Sequence, residues 1–150
     1  MGLLAIFFQD LRERKVYWYL FPLVAASFGA LHLLRAGIYQ WGIHILINLS
    51  LVALILLLIA AYANLMLKKP FLETFGPGDV LMLLALCFSF ASGTFVILLS
   101  FSLLFSLALY ILVQKRSSSD TVPLAGNMSI FYSMVLVVSW VGPIDNLYLL

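Results

Sequence analysis

The sequence predicts an all-α fold: a polytopic membrane bundle of six transmembrane helices, forming a single domain over residues 1–150. Three observations lead to this prediction. Hydrophobic residues make up 65% of the chain and charged residues only 9%, whereas soluble proteins carry about a quarter charged residues. The apolar residues fall into segments of roughly the length that a bilayer requires. Basic residues cluster between these segments in a regular alternation.

Six apolar segments follow one another along the chain. A helix needs about 20 residues to cross the roughly 30 Å hydrocarbon core of a bilayer. The first segment, Gly2 to Gln9, is short, because the residues before Asp10 rise only about 14 Å as a helix. The other five segments are predicted at about 17–34, about 41–67, 79 to about 91, 94–113 and about 122–141.

The boundary between the fourth and fifth segments is the least obvious one. We infer it from the sequence FASG, where Gly93 offers a helix stop. The alternative is one helix from 79 to 113, which is far longer than a bilayer needs. Two helices joined by a tight turn are therefore the better prediction.

The basic residues test the number of spans. Clusters follow the first, third and fifth segments, so six alternating spans place them on one side and leave only Arg35 opposite. Cytoplasmic loops are enriched in Lys and Arg, which predicts that the clustered side faces the cytoplasm and that both termini lie outside. The clustered residues are Arg12, Arg14, Lys15, Lys68, Lys69, Lys115 and Arg116.

Several classes of function are disfavoured by composition. A formal net charge of +2 is too small for a nucleic-acid partner. Cys87 is the single cysteine, so it is predicted to be a small buried hydrophobe. His32 and His44 flank the outer loop without further ligands nearby, so we predict that both are interfacial and expect no metal and no cofactor. Asn48, within the third segment, is predicted to make an interhelical hydrogen bond.

Two acidic residues adjoin apolar helices on the cytoplasmic side. Asp10 and Asp79 are 69 residues apart in the chain, yet the predicted topology places them at a similar depth. Two close carboxyls at a low-dielectric boundary share one proton and can act together as general acid and base. Each residue also has a structural alternative. Asp79 could be the N-cap of the helix that it opens, and Asp10 could pair with Arg14 one turn on.

Three stretches resemble the type IV prepilin and preflagellin peptidases, which are intramembrane aspartyl proteases with a GxGD motif. QDLRERKVYWYLFP is similar to their first aspartate segment, FGPGDVLMLLAL to their GxGD segment, and VPLAGNMSIFYS to the start of their last helix. The resemblance spans nearly the whole chain in the right order. It implies cleavage of the basic leader peptide of prepilin-like precursors at the cytoplasmic face of a bacterial or archaeal inner membrane.

The resemblance also implies roles for particular residues. Asp10 and Asp79 match the two catalytic aspartates, and Gly76 and Gly78 match the motif glycines. The acids Glu13 and Glu73 are candidates for attracting a basic leader; both lie on the cytoplasmic side in the predicted topology.

The chain departs from this family in three respects. The family usually has Ile-Pro soon after the Arg of its first segment, whereas here Val16 is followed by YWYLF before Pro22. Leu81 stands where the family usually has Lys, and the cysteine-rich loop of the larger members is missing, so we expect no N-methyltransferase activity. The expected partners are a precursor protein and the lipid bilayer. The main alternative is a non-catalytic polytopic protein, such as an assembly factor or a transporter subunit. A proton-coupled transporter ranks last, because it would need acids near the bilayer midplane.

Overall fold

The structure is a computed structural model that describes residues 2–13, 16–68, 70, 75–114 and 124–141. Within these residues the chain forms six α-helices and no β-strand. The all-α class predicted from the sequence is therefore confirmed. The helices are α1 (Gly2–Glu13), α2 (Leu20–Ala36), α3 (Ile38–Tyr62), α4 (Pro77–Leu86), α5 (Ser92–Gln114) and α6 (Leu124–Val141).

The observed bounds lie within a few residues of most of the apolar segments; the larger differences are the ends of α1 and of α4, which stops at Leu86 and not near Ala91. α1 continues past Gln9 through Asp10 to Glu13, because the polar residues that follow the apolar run remain helical. α3 is extended by a π-helical turn, Ala63–Leu67, and the chain leaves it at Lys68 in the left-handed conformation (φ 52°). Two helical stretches, Ile38–Met66 and Ser92–Leu112, are long and apolar enough to cross a membrane.

The predicted interruption between the fourth and fifth segments is present, but it does not lie at Gly93. α4 ends at Leu86, and residues 87–91 form a non-helical connection that we call the break. Gly93 lies inside α5, so the prediction that it stops the helix is wrong. Instead, Asn48 Nδ2 donates to the carbonyls of Cys87 and Phe90, each at 3.1 Å. The predicted interhelical hydrogen bond of Asn48 is thus confirmed.

The contacts of α4 and α5 show that they run in opposite directions. The first turn of α4 meets α6, where the N–H of Ala125 donates to Asp79 Oδ1 (2.7 Å). Beyond the break, α5 returns toward the start of the same helix, because Asn127 Nδ2 donates to Ser106 Oγ (3.1 Å). This reversal is what the two-helix interpretation of residues 79–113 requires.

The core lies between the helices and is mainly apolar, with buried polar side chains that include His32, Asn48 and Asn127. α1 packs mainly on α6, and α2 packs on α4. The outward faces are also apolar: on α3, Leu54 and Leu57 are 58% and 63% exposed, and on α5 Leu104 is 61% exposed. The largest fully buried apolar side chains are Tyr132, Phe21, Phe90, Phe95, Ile6, Met82, Leu86 and Met128.

Candidate active site

The carboxylates of Asp10 and Asp79 meet at the start of α6, a region that we call the acid end. Asp10 comes from the last turn of α1 and Asp79 from the first turn of α4. Asp79 Oδ1 accepts a hydrogen bond from the N–H of Ala125 (2.7 Å), and Asp10 Oδ2 accepts one from the N–H of Gly126 (2.6 Å). Two acids that are 69 residues apart in the sequence are therefore bound by consecutive backbone amides.

The local sequence explains how α4 presents Asp79. Gly76 is the N-cap in an extended conformation, and Pro77 occupies the first helical position, where its fixed φ and missing N–H are tolerated. Asp79 is consequently the third helical residue, so the interpretation of Asp79 as the N-cap is wrong. A Cβ on Gly76 would lie 3.1 Å from Asp79 Oδ2. The glycine therefore leaves room for the carboxylate beside the backbone.

Gly126 allows the corresponding approach of Asp10. A Cβ added to Gly126 would lie 2.8 Å from Asp10 Oδ2 and 3.0 Å from Asp10 Cβ. Carbon atoms do not pack at such distances, since optimal carbon contacts are about 3.5–4.0 Å. Any larger residue at position 126 would push Asp10 away from α6, so only glycine fits the observed arrangement.

The electrostatic environment favours the neutral form of Asp79. This residue lies in the first turn of α4 and outside both helices that are long enough to cross a membrane. The pKa of Asp79 is raised from its ordinary value of 3.8 to about 6, mainly by burial and in smaller part by the nearby charge of Asp10. Hydrogen bonding from the backbone of Ala125 and Gly76 opposes both effects, because amide donors stabilise the ionised carboxylate.

The N-terminus of α6 adds a second influence on both acids. The first four N–H groups of a helix have no partner within the helix, and the helix dipole places partial positive charge there. Ala125 and Gly126 carry two of these groups, and each is satisfied by a carboxylate. At the acid end, burial makes it unfavourable for both carboxyl groups to be ionised. The backbone N–H donors stabilise one ionised carboxylate. This balance suits a pair of acids that holds one proton.

The other predicted site residues are placed as follows. Gly78 lies in the first turn of α4, where an added Cβ would be 3.8 Å from Phe21, an ordinary contact distance. The close approach of the Asp79 carboxylate therefore explains why residue 76 is glycine, but no comparable contact explains the glycine at position 78. Glu13 is the last residue of α1, and Glu73 lies outside the described residues.

Sequence reasoning did not identify Ala125 and Gly126 as part of the site. They contribute through backbone groups, which every residue possesses, so their side chains carry no chemical signature. The one available signal was the small pair Ala-Gly at the beginning of the last apolar segment.

A second polar cluster lies around the break. His32 is fully buried, with Nδ1 3.3 Å from the carbonyl oxygen of Phe88 and Nε2 3.2 Å from Nδ1 of His44. The prediction that both histidines are interfacial is therefore wrong for His32, which the helices enclose. Among the described residues, no group of three or more His, Cys, Asp or Glu side chains could hold a metal ion. Cys87, also at the break, is buried as predicted.

Comparisons with known proteins do not place the chain in a family. No protein-family model matches the sequence, no curated protein matches it, and no solved structure matches the fold.

Proposed function

We propose that the protein is an intramembrane aspartyl endopeptidase that cleaves the basic leader from prepilin-like precursors, without N-methyltransferase activity. The observation that carries the proposal is the convergence of Asp10 and Asp79 on consecutive amides of α6. These are the two acids that the sequence resemblance assigns to catalysis.

The apolar outer surface supports the membrane location in this proposal. In the most apolar windows of Ile38–Met66 and Ser92–Leu112, only 11% and 22% of the residues are buried. The core helix of a soluble protein would be mostly buried, and soluble monomers rarely expose large continuous apolar surfaces. In a membrane, lipid chains cover such apolar faces and keep them away from water. The proposed orientation, with both termini outside and the acid end toward the cytoplasm, follows from the basic clusters.

The chemistry proposed for the pair requires one proton between two carboxyl groups. The ionised carboxyl removes a proton from a water molecule, whose oxygen attacks the carbonyl carbon of the scissile peptide. The protonated carboxyl donates its proton to the carbonyl oxygen. When the tetrahedral intermediate collapses, the C–N bond breaks and the leaving amine takes a proton from the protonated carboxyl. A hydroxyl of the intermediate gives its proton to the ionised carboxyl, so the pair again holds one proton. The pKa of Asp79, raised to about 6, favours a singly protonated pair in mildly acidic solution.

Asparagine substitutions test the proposal directly. The protein is expressed together with a tagged prepilin-like precursor, and leader removal is measured for the wild type, Asp10→Asn and Asp79→Asn. Asparagine keeps an oxygen that accepts the α6 amide, but it cannot exchange a proton, so cleavage should fall at least about a hundredfold in either variant. Asp120→Asn is the matched control, because Asp120 belongs to the polar sequence QKRSSSD, outside the described residues, and was not predicted to act in catalysis; this variant should cleave normally. Persistent cleavage by both site variants would refute the protease proposal.

The non-catalytic alternative has one observation in its favour. Both carboxylates already satisfy amides at the start of α6, which is the role of an N-cap supplied by another helix. If this were their only role, wild-type protein would cleave no precursor. Alanine at either position would then lower the unfolding midpoint, whereas asparagine would leave it almost unchanged.

A further inference from the structure

The break occurs beside the middle of a long helix, where backbone groups have little access to water. Asn48, which contacts the break, is ten residues from the start of α3 and fourteen from its end. α4 therefore stops part of the way along the bundle and leaves carbonyl groups without helical partners. In a membrane such groups must find donors within the protein.

Asn48 supplies two of these donors. The residue is 1% exposed, and Nδ2 donates one hydrogen bond to the carbonyl of Cys87 and one to that of Phe90. Asn48 Oδ1 has no hydrogen-bond partner in the part of the chain that the structure describes. The side chain is thus oriented so that its NH₂ group binds carbonyls of the break, although its own carbonyl oxygen is then buried without a hydrogen bond from the described residues. Burying an unpaired acceptor is unfavourable, which indicates how strongly the carbonyls of the break require donors.

His32 holds the third carbonyl of the break. Its Nδ1 lies 3.3 Å from the oxygen of Phe88. The C-terminal end of α4 is therefore bound by side chains of α2 and α3, while its first turn is bound to α6 through Asp79. Because a helix is stiff and rises about 1.5 Å per residue, the helical residues from Asp79 to Leu86 form a strut of roughly 10 Å that ends at the break.

Apolar packing alone would not fix this strut along its axis. The buried side chains of α4 include Met82, Leu83 and Leu86, and such contacts are non-directional. Hydrogen bonds to particular carbonyls are directional, and their distances permit little sliding or rotation. The bonds from Asn48 therefore set the axial position of α4, and with it the height of Asp79 relative to the amide of Ala125.

We propose that Asn48 is a positioning residue for Asp79, acting through α4 from the opposite end of that helix. The expected effect of Asn48 on catalysis rests on the proposed function. The expected effect of Asn48 on the surroundings of the Asp79 carboxyl is independent of the proposed function, because those surroundings exist whether or not the protein is an enzyme.

The experiment compares Asn48→Ala with Val52→Ala. Val52 is also fully buried on α3, one turn further on, but makes no hydrogen bond to the break. Both variants lose packing, and only the first loses the carbonyl donors. The full-length protein is reconstituted in lipid nanodiscs, and the titration of Asp79 is followed by the ¹³C NMR signal of its carboxyl group, assigned through Asp79→Asn.

We expect the titration midpoint of Asp79 to move by roughly half a pH unit or more in Asn48→Ala and to stay unchanged in Val52→Ala. The milder Asn48→Ser, whose hydroxyl can serve one carbonyl, should shift the midpoint less and in the same direction. It also keeps the test decisive if the alanine variant fails to fold. Equal shifts in the Asn48 and Val52 variants, or no shift in the Asn48 variants, would overturn the proposal.

Cleavage assays then separate this proposal from the proposed function. If the protein is a protease, the pH profile of cleavage should move with the NMR midpoint in the Asn48 variants and remain in place for Val52→Ala. If the wild type cleaves nothing, the protease proposal fails while the NMR result still decides the role of Asn48.

Discussion

The acid end and the break solve the same physical problem with opposite partners. At the acid end, backbone N–H groups at the beginning of α6 are satisfied by side-chain acceptors, Asp10 and Asp79. At the break, backbone carbonyls beyond the end of α4 are satisfied by side-chain donors, chiefly Asn48. Each region completes the hydrogen bonding at or next to a helix terminus within a bundle that is mainly apolar.

The difference lies in what the partner side chains can do. Carboxylates at a helix N-terminus can gain and lose a proton, and a second acid close by makes that proton shared. The amide of Asn48 cannot titrate, so it can only hold the backbone in place. The acid end therefore has side chains that can exchange a proton, whereas Asn48 at the break can only hold the backbone in position. Helix α4 joins the two regions.

The strongest way to disturb the acid end without changing an acid is Gly126→Ala. The new Cβ would lie 2.8 Å from Asp10 Oδ2, so the carboxylate must move. A displacement of about 1 Å at a catalytic group can cost on the order of a hundredfold in rate. Overpacking should also lower the free energy of unfolding by about 1–3 kcal/mol. Cleavage assays and denaturation of the purified variant measure the two effects.

Gly42→Ala is the matched control for that substitution. Gly42 also lies in a helix, and an added Cβ there meets nothing within 4 Å. Alanine should stabilise α3 by roughly 0.5–1 kcal/mol because it restricts the unfolded chain. If Gly126→Ala behaves like Gly42→Ala, the tight contact between Asp10 and α6 does not exist in the protein.

A smaller effect is expected from pH, because it changes only the proton on the acid pair. The pKa of Asp79 is raised in the folded protein to about 6, above its ordinary value of 3.8. Between these values the folded protein binds the proton more tightly than the unfolded chain does. This contribution to stability is fully present below about pH 4 and is lost as the pH rises through 6.

The measurement is the unfolding free energy of the wild type and of Asp79→Asn from pH 4 to pH 7. Other groups titrate in both proteins, so the difference between the two curves isolates Asp79. We expect the wild type to lose stability relative to the variant as the pH rises. A constant difference across this range would show that burial does not favour the neutral form of Asp79.

The last prediction concerns the two histidines at the break and is measured on the wild-type protein. The carbonyl of Phe88 can only accept, so His32 must carry its hydrogen on Nδ1, and Nε2 of the neutral ring must accept from Nδ1 of His44. We expect ¹⁵N NMR near neutral pH to show the Nδ1–H tautomer for both rings. The chain has two histidines, so His32→Gln and His44→Gln assign the signals. A dominant Nε2–H tautomer of His32 would contradict the hydrogen bond to Phe88.

Much of the fold could be predicted from the sequence, because the apolar segments are long and polar residues mark most of their limits. The interruption near residue 90 was predicted, but its cause was misassigned to Gly93. A glycine is a local signal that can be read from the sequence, whereas Asn48, whose amide binds carbonyls of the break, is about 40 residues away in the chain. The position of Asp79 in its helix was similarly misjudged by three residues, because Pro77 begins the helix earlier.

The sequence by itself determined that the chain is helical and apolar, that it contains six segments, and that Asp10 and Asp79 are the acids to consider. These properties depend on composition and on the nearest neighbours along the chain. Only the tertiary structure decided that both acids bind consecutive amides of α6, that Gly126 must be small, and that Asn48 completes the break. Each of these depends on backbone groups, which are identical in every residue and acquire particular partners only when distant helices pack together.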